Sequence, residues 1–386
     1  MTRVCLVAGE VSGDLQGALL ARALRQSAPD ILLEGVGGDA MAAAGVRLIH
    51  RCEDMAVTGL WEVASHLPRI VRILNGLARC LRRDPPDALV PIDYPDFNLR
   101  LAARAHAYRV PVIYYISPQV WAWRRGRIAA LRRVVRRMIV IFPFEEEMYR
   151  RAGVPVSYVG HPLVGQVRPA IGREVMRAAL GINSGQILIA LLPGSRRSEI
   201  GRILPVLFET RRRLSAEPGL RWALALAPGL RIEDLPEDVR RADSAIEILS
   251  GRTYDVLGAC DLALTASGTA TLECAILGVP MLVVYRLHPV TWQIARRIVH
   301  VPHVAMANLI AGDRIVPEFL QDEAEPRRLA AEVLRWVNDP ELRQRTSARL
   351  IEAAASLGPG GAPERAARVV LDEIAGGGAA TGTAQG

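Results

Sequence analysis

Asp261-Leu262-Ala263-Leu264-Thr265-Ala266-Ser267-Gly268-Thr269-Ala270-Thr271-Leu272-Glu273 is the stretch whose reading decides the fold. It opens as a continuous apolar run and turns through Ser-Gly-Thr into an Ala- and Leu-rich helical segment. Such a junction aims several backbone N–H groups at one point, at the positive end of a helix dipole, and so makes an anion seat. A second apolar run follows at 280–285, so the unit reads as strand, helix, strand, the βαβ crossover of a parallel sheet. Glu273 is expected on the first helical turn, where a carboxylate reaches a sugar hydroxyl of a nucleotide whose phosphates sit at the tip. A small-residue turn that merely packs well has the same composition, and the stretch alone leaves both readings open.

Outward from this unit, apolar runs at 187–192, 222–227, 245–249, 262–265 and 281–285 alternate with helical segments. The first half of the chain repeats the pattern, with runs at 4–8, 32–36, 88–92, 112–116, 138–142 and 156–159 and helical stretches such as 15–26 and 99–108. Continuous apolar strands alternating with helices mean a parallel sheet covered on both faces. The expected fold class is α/β, with two Rossmann-like doubly wound domains facing across a cleft, ligands binding at the carboxyl ends of the strands. The domains are expected at 1–166 and 167–345, divided near Gly160-His161-Pro162 and Arg168-Pro169. Helices over 346–374 follow, their return to the N-terminal domain left open, and a flexible tail over 375–386 begins near Gly376-Gly377-Gly378.

A length of 386 residues suits two domains, each able to bury its own core. No uninterrupted apolar stretch reaches the roughly 20 residues a bilayer span needs. The N-terminus enters a strand pattern at once, without the charged leader and cleavage site of a secretory signal, so a cytoplasmic protein is expected. The five cysteines, Cys5, Cys52, Cys80, Cys260 and Cys274, are odd in number and never spaced C-x-x-C, against a disulfide frame or a zinc site. The formal charge is +8, and all 48 basic residues are arginine. Without lysine, neither a Walker-type phosphate loop nor a pyridoxal Schiff base is available. Arginine must carry phosphate recognition, as a planar fork that holds two oxygens; the surplus also fits a compositional bias.

Motifs are sought just after strands. Gly9-Glu10-Val11-Ser12-Gly13-Asp14 follows the first strand but lacks the G-x-G-x-x-G spacing of a dinucleotide site. Its acidic tip repels a pyrophosphate, which leaves a hydroxylated or uncharged group, or a plain tight turn. Gly35-Val36-Gly37-Gly38 with Met41 is a weaker signal of the same kind. Ile92-Asp93-Tyr94-Pro95-Asp96-Phe97-Asn98 places two carboxylates at the end of a buried strand. Asp93 is the preferred general base, while Asp96 and Asn98 are assigned to capping the helix over 99–108.

Trp121 and Trp123 precede an arginine run, Arg124, Arg125, Arg127, Arg132, Arg133, Arg136 and Arg137. No helix-turn-helix or zinc-finger spacing accompanies it, so a nucleic-acid partner is not expected. Trp beside Arg suits an anionic membrane surface, or a solvated helix face. Met55 and Trp61 open a second apolar and Arg-rich stretch over 55–77, which reads equally as an acyl-chain surface or a core helix. In the second domain, Leu192-Pro193-Gly194-Ser195-Arg196 makes a tight turn from which Arg196 forks onto a diphosphate. With Ser267, Gly268 and Thr269 in the same sheet, two anion seats converge on one nucleotide. Asn308, Glu318 and Gln321 are expected on irregular segments, holding a sugar or simply solvated.

Taken in order, GEVSGD at 9–14, GVGG at 35–38, IDYPDFN at 92–98, YYISPQVWAW at 114–123, FPFE at 142–145, YVGHP at 158–162, LPGSR at 192–196, ASGTATLE at 266–273, ANLIAG at 307–312 and PEFLQ at 317–321 resemble the lipid-A-disaccharide synthases. The likeness runs from about residue 3 to the C-terminal helices; Val11 and Gln119, where related sequences often carry Ala and Ser, touch no charged position. It implies the GT-B glycosyltransferase architecture with the nucleotide in the C-terminal half. It also implies joining of UDP-2,3-diacylglucosamine to 2,3-diacylglucosamine 1-phosphate, releasing UDP. On that reading Asp93 is the base, with Glu10 as alternative base or acceptor ligand and Ser12 and Asp14 on the acceptor or membrane side. Gly194, Ser195, Arg196, Ser267, Gly268, Thr269, Glu273, Asn308, Glu318 and Gln321 hold the donor. The acyl chains rest at the inner-membrane surface, near Met55, Trp61 and the Trp121 to Arg136 segment. No cofactor or metal is expected, and a homodimer is left open. A UDP-sugar 2-epimerase, another UDP-glycosyltransferase or a noncatalytic UDP-binding membrane protein are the competing readings.

Overall fold

A computed structural model describes residues 1–55, 60–118, 126–227, 230–235, 246–298 and 301–381. The chain divides into two compact units, Met1–Val164 with Pro359–Gly386, and Gly165–Gly358.

In the first unit, β1 (Arg3–Ala8), β2 (Leu32–Gly37), β3 (Arg47–Arg51), β4 (Ala88–Ile92), β5 (Ile113–Tyr115), β6 (Arg137–Val140) and β7 (Val156–Tyr158) form one sheet in the order β3-β2-β1-β4-β5-β6-β7. In the second, β8 (Ile187–Leu192), β9 (Leu220–Leu226), β10 (Ile246–Ser250), β11 (Leu262–Ala266), β12 (Met281–Tyr285) and β13 (Glu318–Leu320) run β10-β9-β8-β11-β12-β13. All the strand pairs are parallel. Both sheets therefore follow the doubly wound order, which reverses between β1 and β4 and again between β8 and β11.

The continuous apolar strands are buried on both faces, as parallel sheets require. In the second unit, Leu191, Leu224 and Leu264 pack with Ile203, Leu207 and Trp336, while their neighbours Ala190, Ala223 and Ala263 pack with Leu257 and Leu350 on the other face. In the first, Cys5, Val7, Leu89 and Tyr114 share a core with Phe97 and Leu101. Ile73, Leu74 and Leu77 of the Leu60–Arg83 helix join it. The sheet leaves no room for a side chain at Gly35, whose φ is +144° and whose added Cβ would stand 1.9 Å from the Leu6 carbonyl oxygen.

The last helix, Ala362–Thr381, packs against Val11–Ser27 of the first unit. Glu373 accepts from Arg136 Nε at 2.8 Å and Arg137 Nε at 2.7 Å, and Arg365 Nε donates to the Val159 carbonyl at 2.8 Å. This helix runs through Gly376-Gly377-Gly378, where the composition predicts fraying; residues 382–386 lie outside the described ones. Among the described residues, no helix is long and apolar enough to cross a membrane.

Candidate active site

Register places the first set of site residues. Ala8 pairs with Ile92, so Gly9-Glu10 and Asp93 leave the sheet side by side at the point where strand order reverses. Asp93 and Tyr94 both adopt left-handed backbone, with φ of 46° and 48°. Such conformations cost about 1–3 kcal/mol in a non-glycine residue and survive only where the surroundings impose them. Here the Tyr94 ring fills the space a Gly9 side chain would need, since a Cβ there would lie 2.2 Å from it. Tyr94 Oη donates to the Met55 carbonyl at 2.9 Å. Ile116, just past β5, is also left-handed at φ 61°, so three strained residues follow two neighbouring strands.

Asp93 is half-buried and its carboxyl is pushed up to about 6, first by burial and then by the negative charge of Glu10. Glu10 itself is exposed. The two carboxylates thus stand together at one switch point in unequal surroundings, one half-buried and one exposed.

Several expectations for this unit are corrected. The helix starts at Pro95, whose missing N–H is harmless in a first turn, and not at 99. Asp96 therefore lies in that first turn, paired with Arg127. Asn98 caps nothing: its Nδ2 points back and donates to the Asp93 carbonyl at 2.7 Å and to those of Val7 and Ile92 at 3.3 Å. Asp14 is buried and accepts from the backbone N–H of Gly38 at 2.6 Å, Met41 at 3.0 Å and Ala40 at 3.1 Å. That use ties the first helix to the Gly37-Gly38 turn, so Asp14 shapes the site from behind. Met55 is fully buried in the core and offers no acyl-chain surface. Arg136 is engaged with Glu373, while Ser12 and Arg132 are exposed. Trp121, Trp123, Arg124 and Arg125 lie outside the described residues, as does the side chain of Trp61.

The second unit repeats the geometry with different chemistry. Leu192 pairs with Thr265, so Gly194-Ser195-Arg196 and Ser267-Gly268-Thr269 emerge together where that sheet reverses. Gly194 has φ +109° and Gly268 φ +143°, backbone that L side chains rarely adopt. Arg196 is the exposed N-cap of the Arg197–Arg213 helix, its Nη1 3.4 Å from Glu199 Oε1. Gly268 is the N-cap of the Thr269–Ile276 helix, and the space above it is open, with nothing within 4 Å of an added Cβ. Two helix N-termini and a guanidinium thus stand at one switch point, and their combined positive potential favours an anion there. Glu273 stands in the second turn, one turn later than predicted; it accepts from Tyr254 Oη at 3.2 Å, and burial raises its carboxyl.

Asn308, Glu318 and Gln321 are not loop groups awaiting a sugar. Asn308 is fully buried in the Met306–Ala311 helix: its Oδ1 accepts from the Ile315 and Val316 N–H at 3.0 Å, and its Nδ2 donates at 2.9 Å to the Val316 carbonyl and to Glu318. Glu318 opens β13 and also accepts from the Val304 and Ala305 N–H at 3.0 and 2.9 Å. Ser267 Oγ donates to the Val304 carbonyl at 2.9 Å, so this pair braces the anion seat from beneath. Gln321 clips the Leu287 backbone, accepting its N–H at 2.6 Å and donating to its carbonyl at 3.2 Å. Tyr94, Tyr114 and Tyr254 carry no individual role in the sequence reading, and Asn98 only that of a cap; each hydrogen-bonds a group distant in sequence or in a neighbouring loop.

Residues 4–367 match the family described as Lipid-A-disaccharide synthetase. The lipid-A-disaccharide synthase of Geobacter sulfurreducens is 44% identical over 373 residues, covering 96% of this chain and 97% of that protein. That of Myxococcus xanthus is 44% identical over 372 residues, with the same coverage. In fold, the chain is similar to a UDP-GlcNAc 2-epimerase from Neisseria meningitidis bound to UDP-GlcNAc, with a TM-score of 0.61, 12% identity, and coverage of 97% of this chain and 99% of that one. Identity of this level, sustained over nearly the whole of both chains, makes this chain a member of the lipid-A-disaccharide synthase family, glycosyltransferases of lipid A synthesis.

Proposed function

We propose that the chain transfers 2,3-diacylglucosamine from UDP-2,3-diacylglucosamine to the 6-hydroxyl of 2,3-diacylglucosamine 1-phosphate. UDP leaves and a β-1,6-linked disaccharide 1-phosphate is formed. An α-linked donor and a β-linked product require one in-line displacement, for which one base and one stabilised leaving group suffice. Asp93 takes the hydroxyl proton: a carboxyl near 6 is mostly ionised at neutral pH yet basic enough to accept a proton in the transition state. Glu10 holds the acceptor. On the donor side Arg196 and the N–H groups after Gly268 balance the charge that develops on UDP, the role a metal has in other transferases. Glu273 receives the ribose.

The observation that carries this reading is the pairing of Glu10 and Asp93 at one switch point, in a family whose chemistry needs a base. UDP-GlcNAc bound by the Neisseria epimerase supports a UDP-sugar in this fold. The acyl chains call for an anionic membrane surface on the cytoplasmic side. Exposed Leu67 and Val71, one turn apart on the Leu60–Arg83 helix, and exposed Arg132 suit that surface.

Incubation with both lipid substrates and excess EDTA tests the assignment by UDP release and disaccharide formation. Release that needs both substrates and survives chelation is expected. Conversion of the UDP-sugar without an acceptor would favour an epimerase, UDP binding without turnover a sensor, and loss of release on chelation would remove the metal-free mechanism.

A further inference from the structure

Two side chains hold Asp93 through its backbone carbonyl. That oxygen accepts two short hydrogen bonds, from Asn98 Nδ2 at 2.7 Å and from Tyr114 Oη at 2.7 Å. The two other carbonyls within reach of Asn98, that of Val7, next to last in β1, and that of Ile92, which ends β4, are each 3.3 Å away. Asn98 is completely buried, and its Oδ1 has no hydrogen-bond partner among the described residues. An orphaned buried acceptor costs about 1–3 kcal/mol, which an apolar residue of the same shape would avoid. Packing alone would favour an apolar side chain at this position, so what the amide contributes is its donor. That donor lies beneath a left-handed residue whose backbone, at φ 46°, is not self-sustaining.

We propose that Asn98 is a positioning residue for the reaction, holding the Asp93 carbonyl so that the Asp93 carboxyl stays half-buried beside Glu10, with Tyr114 as the second holder. The proposal rests on the reading of Asp93 as base. Without the amide, the Asp93-Tyr94 turn relaxes toward ordinary extended backbone and the carboxyl moves toward solvent. Its proton affinity then falls toward that of an ordinary aspartate.

Asn98→Leu and Tyr114→Phe test this, each examined by turnover against pH, by UDP affinity and by NMR titration of the Asp93 carboxyl. A misplacement of this kind lowers kcat by about a hundredfold. For Asn98→Leu that fall is expected with KM and the UDP dissociation constant within a factor of about two, since the donor unit is untouched. The acid limb of the pH profile should move down from near 6, together with the Asp93 titration. Tyr114→Phe should move both in the same direction by less. A folded Asn98→Leu protein with normal turnover and an unmoved Asp93 titration overturns the proposal. If Asn98→Leu does not fold, Tyr114→Phe decides, and an unmoved titration there overturns it equally. Full turnover in Asp93→Ala would instead sink the base reading alone, because the Asp93 titration in Asn98→Leu still reports whether the amide positions that residue.

Discussion

The two switch points share a topology and oppose each other in chemistry. At the edge of β1 and β4 the loops carry two carboxylates, Glu10 and Asp93, and strained non-glycine backbone at Asp93 and Tyr94, which buried partners hold. At the edge of β8 and β11 they carry glycines, a guanidinium and two helix N-termini, with the space above Gly268 open. Strand order decides where a ligand meets each unit, and the loop residues decide its charge. An edge that repels anions and raises a carboxyl suits an attacking hydroxyl. One that collects N–H groups suits a departing diphosphate.

The widest separation of the two edges should come from Asp93→Ala, which is expected to lower kcat by about 10²–10⁴ while UDP affinity, measured by calorimetry, stays unchanged. If both fall together, the edges do not divide the labour as described. Acid should act on the same edge. With Asp93 near 6, turnover falls about tenfold per pH unit below that point as the carboxylate is protonated, and is flat above it up to the next ionisation.

The same residue links activity to stability. Its raised folded value means that stabilisation from holding the proton is fully present below the unfolded value of 3.8 and is lost as pH rises through about 6. Asp93→Asn should therefore be more stable than the native chain at pH 7, by up to about 3 kcal/mol, and melt higher, with little difference at pH 4. An unchanged melt at pH 7 would mean that the ionised carboxylate is not under strain.

At the other edge, Arg196→Ala should weaken UDP by about tenfold, the worth of one or two charge-assisted hydrogen bonds. An unchanged dissociation constant moves the diphosphate elsewhere. Glu318→Gln should have the smallest effect, about 1–2 kcal/mol of stability and a few-fold of UDP affinity, because it loosens the brace under Ser267 without touching the ligand. A loss as large as that of Arg196→Ala would mean that Glu318 meets the ligand after all.

Which residues follow the buried parallel strands at the switch points was legible in the sequence, because a continuous apolar run ending in Gly, Ser or Asp marks where such a strand stops. Gly194, Arg196, Gly268, Glu10 and Asp93 all stand there. Which polar residues face inward was not readable. Asp14 reaches Gly38, 24 positions away, and Arg136 reaches Glu373 at a separation of 237. Asn308, Glu318 and Gln321 look alike in sequence whether they greet a sugar or close a backbone.

The sequence by itself determined that there are two parallel sheets, that each has glycine-bearing loops at its carboxyl end, and that arginine, in the absence of lysine, is the only side chain with a permanent positive charge to offer a phosphate. Those are consequences of local apolar period, turn chemistry and residue inventory. Only the tertiary structure decided that Asn98 turns from helix cap to holder of Asp93, and that the predicted sugar ligands became braces. A side chain's hydrogen-bond partner depends on which backbone groups folding leaves beside it, and no local pattern contains that information.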